Sequence, residues 1–375
     1  MENLKKISNG LKILSLGLDN SILDKFSALA RRVIEYGELV EKYTVIVPNK
    51  KNENFGLSEN VKTYGSGGGN KIAQFIKIYN LAKKLLREEK YDVITVQDQY
   101  YLALIGLYLS KKFKVGLEIQ IHGFEKYGGL RKLIAKYVLA RAGAVRCVSQ
   151  RLKSRLVNEF KIKEEKITVV PIFVDNSLSF QETEKRGNPI PGKLIFFTAG
   201  RLVPVKNIGL QIEAMAEAVK KYPYTELWIA GDGPEKENLK FKIYDLKLSG
   251  NVRLLGKKIK EELEEIYDQA DVFMLTSNAE GWPLVIVEAA NHGSPIIMTD
   301  VGSAGELIIN NESGLIIPIG DKEKLVEAML KMIEDEGLKK KIGVNAKLAA
   351  SRLPGKEKIL ELYKKSWDKA AINKK

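Results

Sequence analysis

Residues 193–207 read KLIFFTAGRLVPVKN, and this stretch decides the fold of the second half of the chain. Its short apolar run predicts a buried strand over Lys193–Gly200, and a helical period follows at about 207–221. Arg201 and Lys206 leave the turn between the two elements. A guanidinium and an ammonium group placed there can neutralise a diphosphate from two sides, although a charged loop in solvent is the simpler interpretation.

The same alternation of short β-branched runs and helix-period segments extends in both directions along the chain. It predicts an α/β fold with two doubly wound parallel sheets, each Rossmann-like. The predicted strands are 12–16, 43–48, 61–64, 92–97, 116–121, 144–149, 167–172, 193–200, 225–231, 251–256, 271–276, 294–300 and 314–318. The predicted helices are at about 23–41, 70–89, 128–142, 149–160, 207–221, 234–248, 261–269, 284–292, 321–335 and 356–368.

The chain length of 375 residues suits two domains, at roughly 150 residues per domain. Periodicity is lost from Asp175 to Gly192, where Asn, Ser, Gly and Pro gather, so we expect the linker there. The predicted domains are 1–180 and 190–355, with a C-terminal helix at about 356–372 packing back onto the first. Ligands of such sheets bind at the carboxyl ends of the strands, which predicts a cleft between the domains.

Composition excludes several classes of protein. Hydrophobic residues make up 45% and charged residues 29%, which suits a globular enzyme and excludes a disordered or collagen-like chain. One cysteine, Cys147, excludes an internal disulfide or thiolate cluster. The longest apolar run, Tyr100–Leu109, is about half the length of a membrane span. With no signal peptide evident, we expect a cytoplasmic protein.

The positive charge is concentrated in the first half of the chain. Residues 1–180 hold 31 Lys and Arg against 18 Asp and Glu, whereas residues 181–375 hold 30 against 29. Between Glu125 and Arg155 there are nine basic residues and one acid. This density suits a partner rich in phosphate or carboxylate, such as a membrane surface, nucleic acid or an anionic substrate. A solvated basic face is an equally simple interpretation.

A second motif, TSNAEGWPLVIVEAANHG at 276–293, carries two acids eight residues apart. Glu280 lies in the loop before a predicted helix and Glu288 inside that helix. Five residues of helix advance about 7–8 Å, so the two carboxylates suit different hydroxyl groups of one long polar ligand. Between them, the amides of Leu284 and Val285 at the helix N-terminus form an anion site. Taken alone, such a pair of acids is more often structural.

Three further motifs are weaker. GDGP at 231–234 allows a close backbone approach and favours a packing role. GSGGGN at 65–70 either cradles phosphate or is simply flexible, and flexibility is favoured. His122 follows a predicted strand and is either functional or a structural histidine.

Together, GRLVPVKN, GDGP, NVRLLG and EGWPLVIVE resemble the retaining GT-B glycosyltransferases of family 4, in the order that family has. The resemblance covers nearly the whole chain. It implies a retaining hexosyltransferase that moves a sugar from a UDP- or GDP-linked donor to a lipid-linked or saccharide acceptor in cell-surface glycan or glycolipid synthesis. The expected partners are therefore a nucleotide sugar and that acceptor, with no resident cofactor.

The resemblance also implies roles for individual residues. Arg201 and Lys206 would contact the donor diphosphate, Glu280 the donor sugar and Glu288 the ribose. His122 would lie beside the transferring sugar, so the expected catalytic residues are Glu280, His122, Arg201 and Lys206. The other expected donor-binding residues are Gly281, Trp282, Leu284, Val285, Lys257, Ile259 and Gly17, and Asp19 is expected on the acceptor side.

The chain departs from the family pattern at two places. LGLDNS follows the first strand where many relatives have paired glycines, which puts the usual contact of that loop in doubt. Trp282-Pro283 replaces the frequent Phe-Gly, removing one amide from the anion site. No metal signature stands out, and preorganised positive charge can stabilise a leaving diphosphate without a metal. Net retention through same-face attack is implied, with double displacement as the other mechanism.

The segment GLRKLIAKYVLARAG at 129–143 sharpens the expectation for the basic first half. Apolar residues Leu133, Ile134, Val138 and Leu139 are mixed with basic residues, as in an interfacial helix. The expected acceptor or membrane contacts are Arg131, Lys132, Lys136 and Arg141. This predicts docking on an anionic membrane at the inner face of the plasma membrane, whereas an ordinary crossover helix is the competing interpretation.

Other classes of protein fit the sequence less well. A sugar-nucleotide 2-epimerase shares the two-domain fold. A nicotinamide dehydrogenase is disfavoured because no strand is followed by G-x-G-x-x-G with an acid about twenty residues on. A non-catalytic binder of nucleic acid or membrane would explain the charge, yet no nucleic-acid-binding signature is found, and we expect no nucleic-acid partner.

Overall fold

The computed structural model describes residues 10–123, 128–173 and 193–374. The chain divides into two compact units. The first comprises Met1–Pro171 with Gly355–Lys375, and the second comprises Ile172–Pro354. The linker expected at Asp175–Gly192 lies outside the described residues.

The first unit is built on a sheet of eight strands in the order β3-β4-β2-β1-β5-β6-β7-β8. All neighbouring strands pair in parallel except β3 and β4. The strands are β1 (Lys12–Leu16), β2 (Lys42–Val47), β3 (Asn52–Gly56), β4 (Val61–Ser66), β5 (Val93–Val96), β6 (Gly116–Ile121), β7 (Ala144–Cys147) and β8 (Ile167–Val169). The central strands are buried on both faces, which explains their continuous apolar runs.

Crossover helices connect these parallel strands. They are α1 (Ala28–Gly37), α2 (Lys71–Glu88), α3 (Tyr101–Phe113), α4 (Gly129–Arg141) and α5 (Gln150–Asn158). α2 contacts α3, and α3 contacts α4. The C-terminal helix α12 (Lys356–Ile372) packs on β5, β6, β7 and β8 of this sheet. Its Trp367 is fully buried against Tyr36 and Tyr43.

The second unit has six parallel strands in the order β11-β10-β9-β12-β13-β14. This is the doubly wound order in which the topology reverses between the first and fourth strands. The strands are β9 (Leu194–Ala199), β10 (Thr225–Ala230), β11 (Val252–Gly256), β12 (Val272–Leu275), β13 (Ile296–Thr299) and β14 (Leu315–Ile317). The helices are α6 (Ile208–Lys221), α7 (Lys236–Asp245), α8 (Lys260–Gln269), α9 (Leu284–Asn291), α10 (Lys322–Glu334) and α11 (Glu336–Ser351).

Glycines let two strand ends of the second unit meet backbone to backbone. A Cβ atom on Gly231 would lie 1.8 Å from the carbonyl oxygen of Gly200, and one on Gly233 would lie 2.4 Å from that of Leu202. The Leu202 amide donates to the Asp232 carbonyl at 2.9 Å. The packing role predicted for GDGP is confirmed, because these contacts fix the loop that carries Arg201.

The predicted fold class is confirmed, and the differences lie in individual elements. The edge strand β3 was not predicted, because its sequence, NENFG, is polar and lies on an exposed edge. The apolar run at Tyr100–Leu109 proves to be most of helix α3, which has an almost uniformly apolar sequence and therefore no helical stripe. Helix α11 was also missed. The helix predicted at 23–41 is a 3₁₀ turn, Asn20–Leu23, followed by the shorter α1, which Ser27 caps.

Candidate functional site

In the second unit, the loops after β9 and β12 bring a lysine and a glutamate together. Lys206 Nζ lies 2.5 Å from Glu280 Oε1, and the hydroxyl of Ser277 donates to the same oxygen at 2.6 Å. Both charged side chains are mostly shielded from solvent, with exposed fractions of 21% and 13%. The two residues were predicted from separate motifs, and the structure makes them direct partners.

Hydrogen bonds to the backbone hold these two loops in place. The hydroxyl of Thr276 donates to the carbonyl oxygens of Lys206 and Asn207, at 3.2 and 3.0 Å. The Asn278 amide donates to the Val205 carbonyl at 2.7 Å. Lys206 and Glu280 therefore project from loops whose backbones are fixed to each other, so the geometry of the pair is preorganised.

Helix α9 begins immediately after this pair. Its first-turn amides, those of Leu284 and Val285, have no acceptor within the helix and face the loop region with a partial positive charge. A third loop supports the arrangement, because Gly302 approaches so closely that a Cβ atom there would lie 2.6 Å from Pro283 Cδ and 3.0 Å from Glu280 Cβ. Arg201 is exposed at the end of β9.

Glu288 lies about one turn into α9, in a different environment. The hydroxyl of Tyr267 donates to Glu288 Oε2 at 3.1 Å. Burial raises the pKa of Glu288 above its ordinary value, and the hydrogen bond from Tyr267 opposes that rise. Tyr267 is buried and stacks on His292, with ring centroids 5.2 Å apart, while His292 Nδ1 lies 2.8 Å from Asp268. Glu288 is thus held rigidly while keeping one oxygen for a further donor.

The remaining residues predicted to bind the donor differ in their exposure to solvent. Trp282 is 7% exposed and its Nε1 has no hydrogen-bond partner among the described residues, so its indole packs inward. Gly281 is partly buried beside it. Lys257 and Ile259 are exposed in the loop before α8, where the Ile259 amide donates to Glu262 at 3.0 Å.

In the first unit, His122 directly follows β6 and lines two adjacent pockets. Desolvation by the surrounding protein, and then the positive charges of Arg146 and Arg32, lower the pKa of His122 well below its ordinary value. The residue is nevertheless exposed to solvent. The imidazole is therefore neutral at pH 7 and can accept a proton or a hydrogen bond from a ligand.

The smaller pocket, of about 250 Å³, is lined by both polar and aromatic side chains. Its lining includes Arg146, which is buried and paired with the fully buried Glu118 at 3.2 Å. Tyr363 from the C-terminal helix stacks over the Arg146 guanidinium at 3.8 Å. The full lining is Asp19, Leu29, Arg32, Tyr36, Tyr43, Gln97, Gln120, His122, Arg146 and Tyr363.

The larger pocket, of about 670 Å³, opens at the first turns of three helices. Its lining includes Gln97 and Gln99 after β5, and the amide of Gln99 donates to the Gly123 carbonyl at 2.8 Å. The other lining residues are Leu18, Pro48, Lys71, Gln74, Phe75, Asp98, Tyr100, Tyr101, His122, Gly123 and Arg131.

Sequence reasoning missed Gln97, Arg146 and Tyr363 as pocket residues. Two signals were available, since Gln97 follows a strand end, as Arg201 does, and Arg146 is a charge inside an apolar strand. Nothing in the sequence near Tyr363 places it at this pocket, because α12 packs there only through the tertiary fold.

Gly17 and Asp19 lie in the loop after β1, as predicted. The Gly17 amide donates to the Ile46 carbonyl at 3.0 Å, and a Cβ atom on Gly17 would lie 3.2 Å from Gln97 Oε1. The carboxylate of Asp19 accepts from the Ser21 amide at 3.0 Å and caps the 3₁₀ turn. Asp19 also lines the smaller pocket.

Helix α4 differs from the predicted interfacial helix in its orientation. Val138 and Leu139 are buried in the first unit, so two of the four apolar residues expected at a membrane belong to the core. The exposed apolar side chains of α4 are instead Leu130, Leu133 and Tyr137. Lys132 and Lys136 lie on the outer surface of this helix, whereas Arg131 lines the larger pocket and Arg141 stacks on Tyr137.

Neither a membrane-spanning helix nor a metal-binding cluster is found within the described ranges. No helix among residues 10–123, 128–173 and 193–374 has the length and apolarity needed to cross a bilayer. Within those same ranges, no three His, Cys, Asp or Glu side chains are grouped in a way that could bind a metal ion.

Comparison with known proteins defines the class. The profile of the family described as Glycosyl transferases group 1 matches residues 180–349, and that of Glycosyltransferase Family 4 matches residues 38–178. Two Rossmann-like units with these consecutive matches define a GT-B glycosyltransferase. The chain belongs to the family 4 glycosyltransferases, as its motifs predicted.

Individual relatives are more distant. The UDP-Gal:alpha-D-GlcNAc-diphosphoundecaprenol alpha-1,3-galactosyltransferase of Escherichia coli is 27% identical over 273 residues, covering 68% of this chain and 70% of that protein. The solved structure of sucrose-phosphate synthase from Thermosynechococcus elongatus matches with a TM-score of 0.79 at 20% identity, covering 94% of this chain and 98% of that one. Anabaena HepE in complex with UDP matches with a TM-score of 0.74 at 20% identity, with the same coverage.

Proposed function

We propose that this glycosyltransferase transfers a hexose from a UDP- or GDP-linked donor to a lipid-linked or saccharide acceptor, with retention of anomeric configuration. The observation that carries the proposal is the preorganised pair of Lys206 and Glu280 beside the first turn of α9. That arrangement places a cation, a carboxylate that can accept hydrogen bonds from hydroxyl groups, and free backbone amides on adjacent loops of one unit. A nucleotide sugar needs such groups where its diphosphate joins the sugar, because the cation and amides can bind the phosphates and the carboxylate can bind the sugar hydroxyls.

The donor diphosphate is proposed to bind Lys206, Arg201 and the amides of Leu284 and Val285. In the structure, Lys206 donates to Glu280. A donor phosphate would take over part of the Lys206 contact, which frees Glu280 to accept hydrogen bonds from sugar hydroxyls. Glu288, held by Tyr267, is then proposed to accept from the ribose hydroxyls.

In the proposed reaction the bond from the anomeric carbon to the β-phosphate oxygen breaks, and a bond from that carbon to the acceptor oxygen forms. The leaving diphosphate takes the acceptor proton. Lys206, Arg201 and the helix N-terminus stabilise the charge that develops on the leaving group, so the reaction is proposed to need no metal ion. In the proposed complex Glu280 accepts hydrogen bonds from Ser277 and from the sugar hydroxyls, which lowers its nucleophilicity and disfavours its use in double displacement.

The acceptor is proposed to bind the first unit. Two pockets among its described residues share Gln97 and His122, which is neutral at pH 7, and the smaller of the two is also lined by Gln120. The name of the Escherichia coli relative specifies a diphosphoundecaprenol acceptor. We propose an acceptor of this kind for a cell-surface glycan, and an association with the inner face of the plasma membrane.

The test is transfer from UDP- and GDP-hexoses in membrane lipid extracts, followed by NMR of the product anomer, with and without EDTA. We expect transfer from one of the donors, the donor's own anomeric configuration in the product, and unchanged rates in EDTA. Inversion or a metal requirement would contradict the proposal. Release of the nucleoside diphosphate with formation of a free 2-epimer, and no use of any acceptor, would favour the epimerase instead.

A further inference from the structure

Helices α2, α3 and α4 share a pattern along their outer faces. Each has an exposed or half-exposed tyrosine followed four residues later by a basic residue that lies over its ring. The pairs are Tyr79 with Lys83 at 5.6 Å, Tyr108 with Lys112 at 5.7 Å, and Tyr137 with Arg141 at 3.9 Å from cation to ring centroid. The three pairs thus form a belt of aromatic and basic groups across neighbouring helices.

On two of these helices, large aliphatic side chains are exposed on the N-terminal side of the belt. Ile72 and Ile76 of α2 are 75% and 55% exposed, and Leu130 and Leu133 of α4 are 65% and 66% exposed. On α3 between them, the corresponding position is held by Tyr101, which is also exposed. Exposed aliphatic residues are individually common, but here they occupy the same end of the two helices on either side of α3.

The three helices lie side by side, so these residues form one surface. α2 and α3 are in contact through Tyr79 and Tyr108, whose ring centroids are 5.9 Å apart, and α3 contacts α4. Each helix follows one parallel strand and returns to the start of the next, so the three first turns lie at the carboxyl edge of the sheet. The apolar ends therefore lie on the edge where the larger pocket opens.

The charge of this surface is almost entirely positive. α2, α3 and α4 together contain eleven Lys and Arg residues and one acid, Glu88. On α2 and α4 the exposed aliphatic residues lie nearest the first turns, interspersed with Lys71, Arg131 and Lys132, and the tyrosine–cation pairs follow further along each helix. This mixture of exposed aliphatic, tyrosine and basic side chains is typical of a surface that sits between the acyl boundary of a bilayer and the headgroups of anionic lipids.

We propose that this surface, defined by Ile72, Ile76, Leu130, Leu133 and the three tyrosine pairs, docks on an anionic lipid bilayer. The first turns of α2 and α4 insert deepest, and the larger pocket receives a lipid phosphate from the same leaflet. Lys71 and Arg131 line that pocket, and the Arg131 guanidinium is held over the rings of Tyr100 and Tyr101 at 5.6 and 6.0 Å. The pocket assignment rests on the proposed glycosyltransferase function, whereas the docking surface does not.

Vesicle sedimentation tests the docking surface. We expect the wild-type protein to pellet with phosphatidylcholine vesicles that contain phosphatidylglycerol, and to bind pure phosphatidylcholine at least tenfold more weakly. Leu130→Ser with Leu133→Ser should weaken binding at least tenfold. The matched control is Phe241→Ser with Tyr244→Ser on α7 of the second unit, where the two side chains are 70% and 77% exposed. Equal loss in both double variants, or no binding to either vesicle, would overturn the proposal.

The depth order provides an independent test. Cys147 is buried, so an introduced surface cysteine can be labelled selectively with an environment-sensitive fluorophore. We expect the emission shift on anionic vesicles to decrease from Leu133→Cys through Tyr137→Cys to Arg141→Cys, with none at Phe241→Cys. The reverse order would contradict insertion by the first turns. A concentration-dependent dimer that the Leu130→Ser, Leu133→Ser variant abolishes would identify a protein interface instead.

The lipid-phosphate pocket is tested on neutral vesicles doped with a polyprenyl phosphate. We expect the dopant to increase binding, and both Lys71→Ala and Arg131→Ala to remove the increase. Complete competition by free inorganic phosphate would contradict recognition of the lipid. Thermal stabilisation by UDP and GDP is measured in the same variants. If a nucleotide binds but no vesicle does, the docking inference fails alone, and if no nucleotide binds, the proposed function fails whatever the vesicle result.

Discussion

The candidate sites of the two units are built in different ways. In the second unit, Lys206 and Glu280 project from two strand-end loops whose backbones are hydrogen-bonded to each other. In the first unit, the smaller pocket is assembled from side chains of separate segments, including Arg146 in a strand and Tyr363 in the C-terminal helix. We therefore expect the site made of locally fixed loops to keep its structure when one side chain is lost, and the site that rests on the buried pair of Glu118 and Arg146 to be destabilised by such a loss.

The largest expected effect is on stability and lies in the first unit. Glu118→Ala leaves the buried guanidinium of Arg146 without its carboxylate partner, which should lower the free energy of unfolding by about 3–5 kcal/mol. Urea denaturation measures this loss. Lys220→Ala, which removes an exposed pair with Glu217, is the control and should change stability by less than about 0.5 kcal/mol. A similar small change in Glu118→Ala would show that the two sites do not differ in this way.

The next effect is on transfer and lies in the second unit. Lys206→Ala removes a preorganised cation from the leaving group and should lower the transfer rate by about 10²–10³-fold. Because the loop backbones are held by Thr276 and Asn278, the melting temperature should change little. Steady-state rates and thermal melts of the same preparations check both statements. A large fall in melting temperature would mean that the pair is structural, and the contrast with the first unit would disappear.

A smaller effect on stability is expected at Glu288, and the direction of its pH dependence follows from the burial of the carboxylate. Burial raises the pKa of Glu288, so its ionised form destabilises the native state at pH values above that raised pKa. Glu288→Gln should therefore be more stable than the wild type near neutral pH, and the gain should vanish below the ordinary pKa of glutamate. Denaturation across pH 4–8 measures it. A constant difference across that range would contradict the assignment to ionisation.

The same substitution should weaken donor binding if Glu288 holds the ribose. Calorimetric titration with the nucleoside diphosphate should show a lower affinity for Glu288→Gln than for the wild type, and the wild-type affinity should fall as pH is lowered through the raised pKa of Glu288. An unchanged affinity in the variant would remove Glu288 from the donor site.

The sequence predicted the features that are encoded locally and missed those that depend on tertiary contacts. The alternation of strands and helices was sufficient to predict both sheets, because buried parallel strands and amphipathic crossover helices have distinct periods. The elements missed, β3, α3 and α11, have either too polar or too uniform a composition to show a period. Lys206 and Glu280 were found because each follows a strand within one short motif.

Features that depend on tertiary contacts were not predictable. Helix α4 is apolar on several sides, so the sequence did not determine which side meets the sheet, and Val138 and Leu139 were expected at a membrane although they are core residues. Tyr363 reaches the smaller pocket only because α12 returns to the first sheet. The exposed surface of α2, α3 and α4 likewise emerges only when three separate helices are placed side by side.

The central claim is that the second unit binds a nucleoside diphosphate through Lys206, Arg201 and the start of α9. The most direct measurement is the thermal shift of the purified protein with UDP, GDP, ADP and NAD, repeated on Lys206→Ala, Arg201→Ala and the control Lys220→Ala. The account predicts stabilisation by UDP or GDP but not by NAD, with the shift reduced in the first two variants and retained in the control. No stabilisation by any nucleoside diphosphate, or an equal shift in all three variants, would contradict it.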